Sequence, residues 1–409
     1  MSGDPTDLDQ VAAALDADDS LADLVHEFEP ADGVFAYLDG NSLGRPVRGM
    51  PERIADFVRN DWGTRLIRSW DEGWMQLPLE VGDRIGRLTL GAAPGQTVVA
   101  DSTTVLLYKL VAAAVQDARP GDGILIERGN FPTDRFIVEG IAESRGLTVR
   151  WIEPDPVRGV SADDVERAVD DRTALVLLSH VDYRSGALAD MAEITRVVHA
   201  HGALVLWDLC HSAGVIPMQL DTWGVDIAVG CTYKYLNGGP GSPAFAYVRQ
   251  GLHDTLEQPI RGWMGADDVF SMGPVHRPAR GMRRFLSGTP PISAMLPMQG
   301  MLDLIERAGV DAIRHKSRTL TDLAVEAYDE LMAPRGVSLG SPRSSDARGS
   351  HVLFGHEDFR AVTARLCSDG IIPDFRGPDG IRIGLSPLST THAEVVRGVA
   401  VVLRPVGAA

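Results

Sequence analysis

Lys234 is the side chain of this sequence best placed for covalent chemistry. It stands in the run Cys231-Thr232-Tyr233-Lys234-Tyr235-Leu236-Asn237-Gly238-Gly239-Pro240-Gly241-Ser242-Pro243. Apolar runs on either side, Asp226–Val229 and Ala244–Val248, read as strands around a turn too rich in glycine to continue either. An amine at a strand end between two aromatic rings is poised to lose its proton, because desolvation disfavours ammonium. Only three lysines occur, Lys109, Lys234 and Lys316. Lys109 falls in a helical pattern and reads as a helix-surface lysine; Lys316, in Arg314-His315-Lys316-Ser317-Arg318, reads as part of a solvated basic face. If the chain needs an amine for an imine bond, Lys234 is the candidate.

Other reactive types recur at matching places. Asp208 ends an apolar run, with His211 three residues on; it caps the following turn or, being next to a buried strand, answers a cation. Ser179-His180 ends another run, and Phe131-Pro132-Thr133-Asp134 follows a third, with Phe131 able to stack on a ring. Ser102-Thr103-Thr104 opens a helical pattern, which makes it an N-cap or an anion site. Arg382, on the short strand Gly380–Gly384, forms either a surface ion pair or a two-pronged contact with a carboxylate. Asn41 and Ser42 sit in a turn they can cap. Trp62, Trp70 and Trp74 cluster as an aromatic wall, in the core or around an aromatic ligand. Pyridoxal phosphate needs a lysine, a carboxylate for its ring nitrogen, a ring to stack on and a cradle for phosphate. Lys234, Asp208, Phe131 and Thr103/Thr104 supply the four.

These residues require elements to hold them. Strand-like runs are Thr97–Ala100, Gly123–Glu127, Leu147–Trp151, Ala174–Leu178 and Ala203–Trp207, besides the two flanking the lysine. Helical patterns alternate with them over Thr104–Gln116, Asp134–Ser144, Ser161–Val169 and Asp190–His201, and Ser161 with Asp164 has capping-box spacing. Near-continuous apolar strands alternating with helices predict an α/β fold, a mostly parallel sheet covered on both faces. Ligands of such sheets bind at the carboxyl ends of the strands, where the polar residues above fall. An Asp-rich arm with one helical pattern near Val11–Val25 precedes this region, and a smaller α+β domain follows it. The expected division is 1–60 for the arm and a small-domain segment, 61–295 for the large domain, and 296–409 for a linker helix and the C-terminal domain. Ser341–Ser350 reads as a flexible loop.

The 409 residues carry 39 basic and 56 acidic side chains, a net charge of −17 that argues against nucleic acid or an anionic membrane surface as partner. Three scattered cysteines, Cys210, Cys231 and Cys367, imply neither a disulfide framework nor a metal site; Cys367 is expected to be a buried structural thiol. No basic-then-apolar leader and no membrane-length apolar run is read, so the expected location is the cytoplasm.

The motifs Tyr37-Leu38-Asp39-Gly40-Asn41-Ser42-Leu43-Gly44, Phe131-Pro132-Thr133-Asp134, Asp208 with His211, and Thr232 to Gly241 together resemble kynureninases, over about residues 35 to 390. The resemblance implies the fold-type-I architecture of pyridoxal-phosphate enzymes, with a seven-stranded-type sheet and class-V aminotransferase-like topology. It also implies a homodimer with shared sites and hydrolysis of L-kynurenine to anthranilate and L-alanine in tryptophan degradation or NAD biosynthesis. 3-Hydroxykynurenine is a further candidate substrate. Lys234 would then bind the cofactor covalently, Asp208 would meet its ring nitrogen and Phe131 would stack on it. Thr103, Thr104, Pro132, Thr133, Asp134, Ser179, His211 and Tyr233 would complete its contacts. Trp263 and Thr289 resemble residues that reach the phosphate from the partner. Arg382 resembles the carboxylate clamp; Asn41, Ser42, Trp70 and Gly288 resemble substrate-side positions. Tyr233 is the candidate proton donor, or a phosphate contact. Cys210 departs from the commoner alanine. The rivals are a cysteine desulfurase or lyase, which wants a mobile-loop cysteine and usually a histidine before the lysine, and a non-catalytic protein of the same fold.

Overall fold

The computed structural model describes residues 7–402. Residues 1–6, including Asp4 of the acidic arm, and 403–409, the end of the expected C-terminal domain, lie outside the described residues.

Seven strands form the central sheet: β1 (Thr97–Ala100), β2 (Gly123–Glu127), β3 (Thr148–Ile152), β4 (Thr173–Ser179), β5 (Leu204–Asp208), β6 (Ile227–Gly230) and β7 (Ala244–Val248). Their order is β1-β7-β6-β5-β4-β2-β3. All run parallel except β7, which is antiparallel to both β1 and β6. β7 returns antiparallel through the thirteen-residue lysine turn, Cys231–Pro243, which carries no helix of the kind that usually makes a parallel crossover. Successive side chains of each strand point to opposite faces. Val176, Leu178, Val205 and Trp207 therefore enter one apolar core, while Leu175, Leu177, Leu206 and Ile227 enter another on the opposite face. Burial on both faces is why the central strands are apolar nearly throughout, whereas the edge strand β3, with Thr148 and Arg150, is only partly covered.

Helices Thr103–Ala114, Pro132–Arg145, Ala162–Ala168 and Met191–Ala200 make the crossovers, within two residues of the expected ends. The Ser161 capping box forms: Ser161 Oγ accepts from Asp164 N at 3.2 Å, and Asp164 Oδ2 accepts from Ser161 N at 3.0 Å. The early helical pattern is broken instead into Leu8–Ala17 and a 3-10 turn, Ala22–Glu27, with the polar Asp18-Asp19-Ser20 between them.

A third core joins both ends of the chain, bringing Leu8, Ala12, Ala36 and Leu38 against Val352, Ile383 and Val399. Its sheet is antiparallel, in the order Asp374–Arg376, Gly380–Gly384, His351–Gly355 and Ser338–Leu339.

Several expectations need correction. Lys109 is not on a surface: its helix is covered along the face it occupies, and the side chain is fully buried. Lys316 is buried too, paired with Asp19 at 2.7 Å. Cys367 is exposed, because the apolar face of its helix is carried by Phe359, Val362 and Leu366. Trp62 is exposed, so the aromatic wall consists of Phe57, Trp70 and Trp74. The Ser341–Ser350 stretch is irregular but pinned: the buried Arg348 binds Asp322 at 2.8 Å and the carbonyl oxygens of Pro342 and Arg343.

Candidate active site

The parallel register places Ser179, Asp208 and Val229 side by side at the carboxyl ends of β4, β5 and β6. Beyond them lies a cleft of about 500 Å³. Thr103, Thr104, Phe131, Thr133, Asp134, Ser179, Asp208, His211, Tyr233 and Lys234 line it, as sequence reasoning expected. Pro132 does not line it; it opens helix Pro132–Arg145, where its fixed φ and missing N–H cost nothing.

Lys234 Nζ lies 2.8 Å from His211 Nε2 and 5.9 and 5.8 Å from the ring centres of Phe131 and Tyr233. Burial first, then the charges of Lys234 and Arg382, hold His211 well below the usual imidazole range, so it is neutral. Its Nε2 can thus accept a hydrogen bond from Lys234 Nζ, while Nδ1 has no partner. Asp208 Oδ1 accepts from Cys210 N at 2.7 Å, which fixes the carboxylate against the turn. Asp134 is buried beside it with both carboxyl oxygens unpartnered. Burial, then the negative charges of Asp208 and Glu127, push its carboxyl well above the usual range. Such an acidic pair asks for a ligand N–H. At the other end, Ser102 Oγ caps Val105 N at 3.4 Å, leaving the first-turn N–H groups of Thr103 and Thr104 without helical partners. Tyr233 keeps its phenolic proton, since the neighbouring Cys231 sulfur and then burial push its pKa up.

The Asn41–Gly44 motif docks on the lysine turn. Gly44 N donates to Tyr233 O at 2.8 Å, and Asn237 Nδ2 donates to Arg45 O at 2.7 Å. A Cβ on Gly44 would come within 2.5 Å of both the Asn237 side chain and Lys234 O, so only glycine fits.

The remaining expected residues fall outside the cleft. Arg382 is fully buried; it donates to Tyr183 O at 2.5 Å, Ser42 Oγ at 2.8 Å and Asp374 at 2.8 Å. It is a buried ion pair rather than a surface one. Asn41, with its amide turned to satisfy both neighbours, accepts from Arg382 Nε at 3.2 Å and donates to Asp39 at 3.3 Å. Trp70 packs edge-on to Trp74 at 5.4 Å. Trp263 is exposed, 6.4 Å from Phe270. Gly288 and Thr289 line an adjoining cleft that shares Tyr233 as a wall.

Sequence reasoning missed Tyr183 and Val181, which line the cleft just past β4, and treated Cys210 only as a departure. An aromatic four residues beyond a strand end was the available signal for Tyr183. His351 carried none: it arrives from the C-terminal sheet, its ring 5.3 Å from that of His211.

A family model described as aminotransferase class-V matches residues 84–368. A kynureninase of Pseudomonas fluorescens is 43% identical over 390 residues, 93% of this chain and 91% of that protein. A kynureninase of Burkholderia pseudomallei (strain 1106a) is 42% identical over 391 residues, 94% and 92% of the two chains. Among solved structures, a cysteine desulfurase from Thermococcus onnurineus NA1 superposes with a TM-score of 0.82 at 20% identity, over 94% of this chain and 97% of that one. A variant of C-DES with glycine covalently linked to its PLP cofactor gives 0.80 at 20% identity, over 92% and 100%. At such identities the structures show the fold alone, the fold of PLP-carrying enzymes, as the sequence implied. The chain belongs to the kynureninase family and carries the class-V aminotransferase domain.

Proposed function

We propose that this chain is a pyridoxal-phosphate-dependent hydrolase that converts L-kynurenine to anthranilate and L-alanine. The carrying observation is the convergence of Lys234, the Asp208–Asp134 pair and the Thr103–Thr104 helix start on one cleft. Membership of the kynureninase family supports the substrate.

The residues present fit the cofactor. Lys234 would hold it covalently, Phe131 would face its ring, and the free N–H groups at Thr103 and Thr104 would hold the phosphate. Asp134 and Asp208 would hold the ring nitrogen's proton, which relieves the orphaned buried oxygens of Asp134. When bound, the group supplies an electron sink for charge developing on the substrate. Lys234, once free as an amine, takes the proton from the substrate α-carbon, and neutral His211 at 2.8 Å accepts a hydrogen bond from Nζ and orients it. Once water has added to the γ-carbonyl and the bond between the β- and γ-carbons has broken to release anthranilate, Tyr233 gives a proton from its phenol to the β-carbon of the three-carbon fragment left behind, which becomes alanine. Arg382 would clamp the α-carboxylate by exchanging its Asp374 partner for substrate, with Asn41 and Ser42 steadying the guanidinium.

The rival desulfurase chemistry finds little support here. Cys367 lies on helix Phe359–Ser368 and does not line the cleft, and Tyr233 rather than histidine precedes the lysine. We also place the protein in the cytoplasm as a homodimer in which Trp263 and Thr289 complete the partner's site, with Trp70 and Gly288 beside the aryl group. The exposed Trp263, Phe270 and Met272 support such a contact. No helix among the described residues is long and apolar enough to cross a membrane.

The test is turnover by purified protein followed by anthranilate fluorescence, with wild type and Lys234→Ala compared on L-kynurenine and L-cysteine. Kynurenine hydrolysis lost in Lys234→Ala is expected. Turnover surviving that substitution, or sulfide release from cysteine in place of anthranilate formation, overturns the reading.

A further inference from the structure

Lys109 is a buried ammonium that the mechanism above does not use. Its Nζ donates to the Asp101 carboxylate and, at 2.9 Å, to the backbone carbonyl of Phe285. The two acceptors belong to different walls of the site. Asp101 immediately precedes Ser102-Thr103-Thr104, the helix start at one end of the main cleft. Phe285 leads into Leu286-Ser287-Gly288-Thr289, the far wall of the adjoining cleft, whose near wall is Asp101 and Ser102. Tyr233 separates the two clefts.

We propose that Lys109 is a positioning residue: a buried clasp that sets the spacing between the Asp101–Thr104 turn and the Phe285–Thr289 segment, and so shapes the end of the site that receives the cofactor's phosphate. This rests on the cofactor reading given above. Three observations carry it. Lys109 is fully buried on a helix anchored by Leu106, Leu107, Leu110 and Val111, so its amine has little freedom to follow a moving partner. Asp101 has φ +45°, a left-handed turn conformation that aspartate tolerates better than most non-glycine residues, so the chain turns sharply just where the carboxylate meets Lys109. Besides the clasp, Asp101 O accepts from Ala244 N at 3.0 Å, which ties the turn to the start of β7. A buried ion pair contributes little net stability compared with well-packed apolar side chains. What it fixes is geometry. Burial lowers the pKa of Lys109 while the hydrogen bond and charge of Asp101 oppose the fall.

The test compares binding of pyridoxal phosphate and of pyridoxal, which lacks the phosphate, to cofactor-free full-length protein by absorbance titration. The proteins are wild type, Lys109→Met, and Lys109→Met combined with Asp101→Asn. The double variant leaves no stranded charge, so it carries the measurement if the single variant does not fold. The clasp predicts that the variants lose about tenfold or more in affinity for the phosphorylated ligand. Pyridoxal binding should be almost unchanged, so the preference for the phosphate collapses. A residue that merely stabilised the fold would weaken both ligands alike or shift only the denaturation midpoint. Folded variants that keep the wild-type preference overturn the clasp alone. A wild type that binds neither ligand overturns the cofactor reading and the clasp with it.

Discussion

Tyr233 stands where the two clefts meet, holding its proton against a buried sulfur and beside Lys234. If Tyr233 is the proton donor proposed above, its replacement by phenylalanine should lower kcat by about 10²- to 10⁴-fold, the usual worth of a positioned acid. The absorbance of bound cofactor should remain, because Phe removes only the hydroxyl. Rapid kinetics on the cofactor-loaded variant checks this, and an unchanged kcat would return Tyr233 to a structural role. Behind the site, Glu127 is pushed up to about 8 by burial and then by Asp182 and Asp208. A carboxyl raised in this way stabilises the fold fully below its unfolded value of about 4.5 and loses that contribution as pH rises through about 8. Glu127→Gln should therefore gain about 1 kcal/mol or more over wild type at pH 9 and nothing at pH 4.5, measured by urea denaturation. The imidazoles run the other way. His180, pulled down to about 3 by burial and then by Arg314, adds stability above about 6.5 that is lost as pH falls toward 3.

Elements bring these side chains within reach, and the backbone contacts between them leave little room. Gly262, beside Trp263, approaches the Ser287 carbonyl so closely that a Cβ would lie 2.0 Å from the oxygen. Gly262→Ala must push apart the two segments that carry Trp263 and Thr289. About 1–3 kcal/mol of stability should be lost in urea, with weaker cofactor retention. The strands were legible in the sequence because a sheet covered on both faces leaves unbroken apolar runs, and the polar residues at their ends marked the cleft. Long-range cover was not legible. Lys109 has the spacing of a surface lysine, and only the fold shows Asp101 and the Phe285 carbonyl closing over it. Arg348 turns a polar loop into a pinned one through a residue 26 positions away, Asp322. Arg382 was found as a candidate by its strand, yet its ties to Ser42, Tyr183 and Asp374 depend on three separate segments meeting.

The molecule as a whole presents an exposed apolar set, Trp263, Phe270, Met272 and Val275, some distance in sequence from the lysine it is proposed to serve in a second copy. If sites are shared, mixing Lys234→Ala with Trp263→Ala subunits creates dimers with one intact site. Activity should then rise from near zero to as much as about a quarter of wild type, since half the dimers are hybrids and each has one working site of two. A mixture no more active than its parts would mean that each chain serves itself. The most direct measurement follows from there being only three lysines in the sequence. The cofactor-loaded protein is reduced with borohydride, digested, and mapped by mass spectrometry. The account predicts a pyridoxyl group on Lys234 and on neither Lys109 nor Lys316. A label on either of those, or none at Lys234, contradicts it.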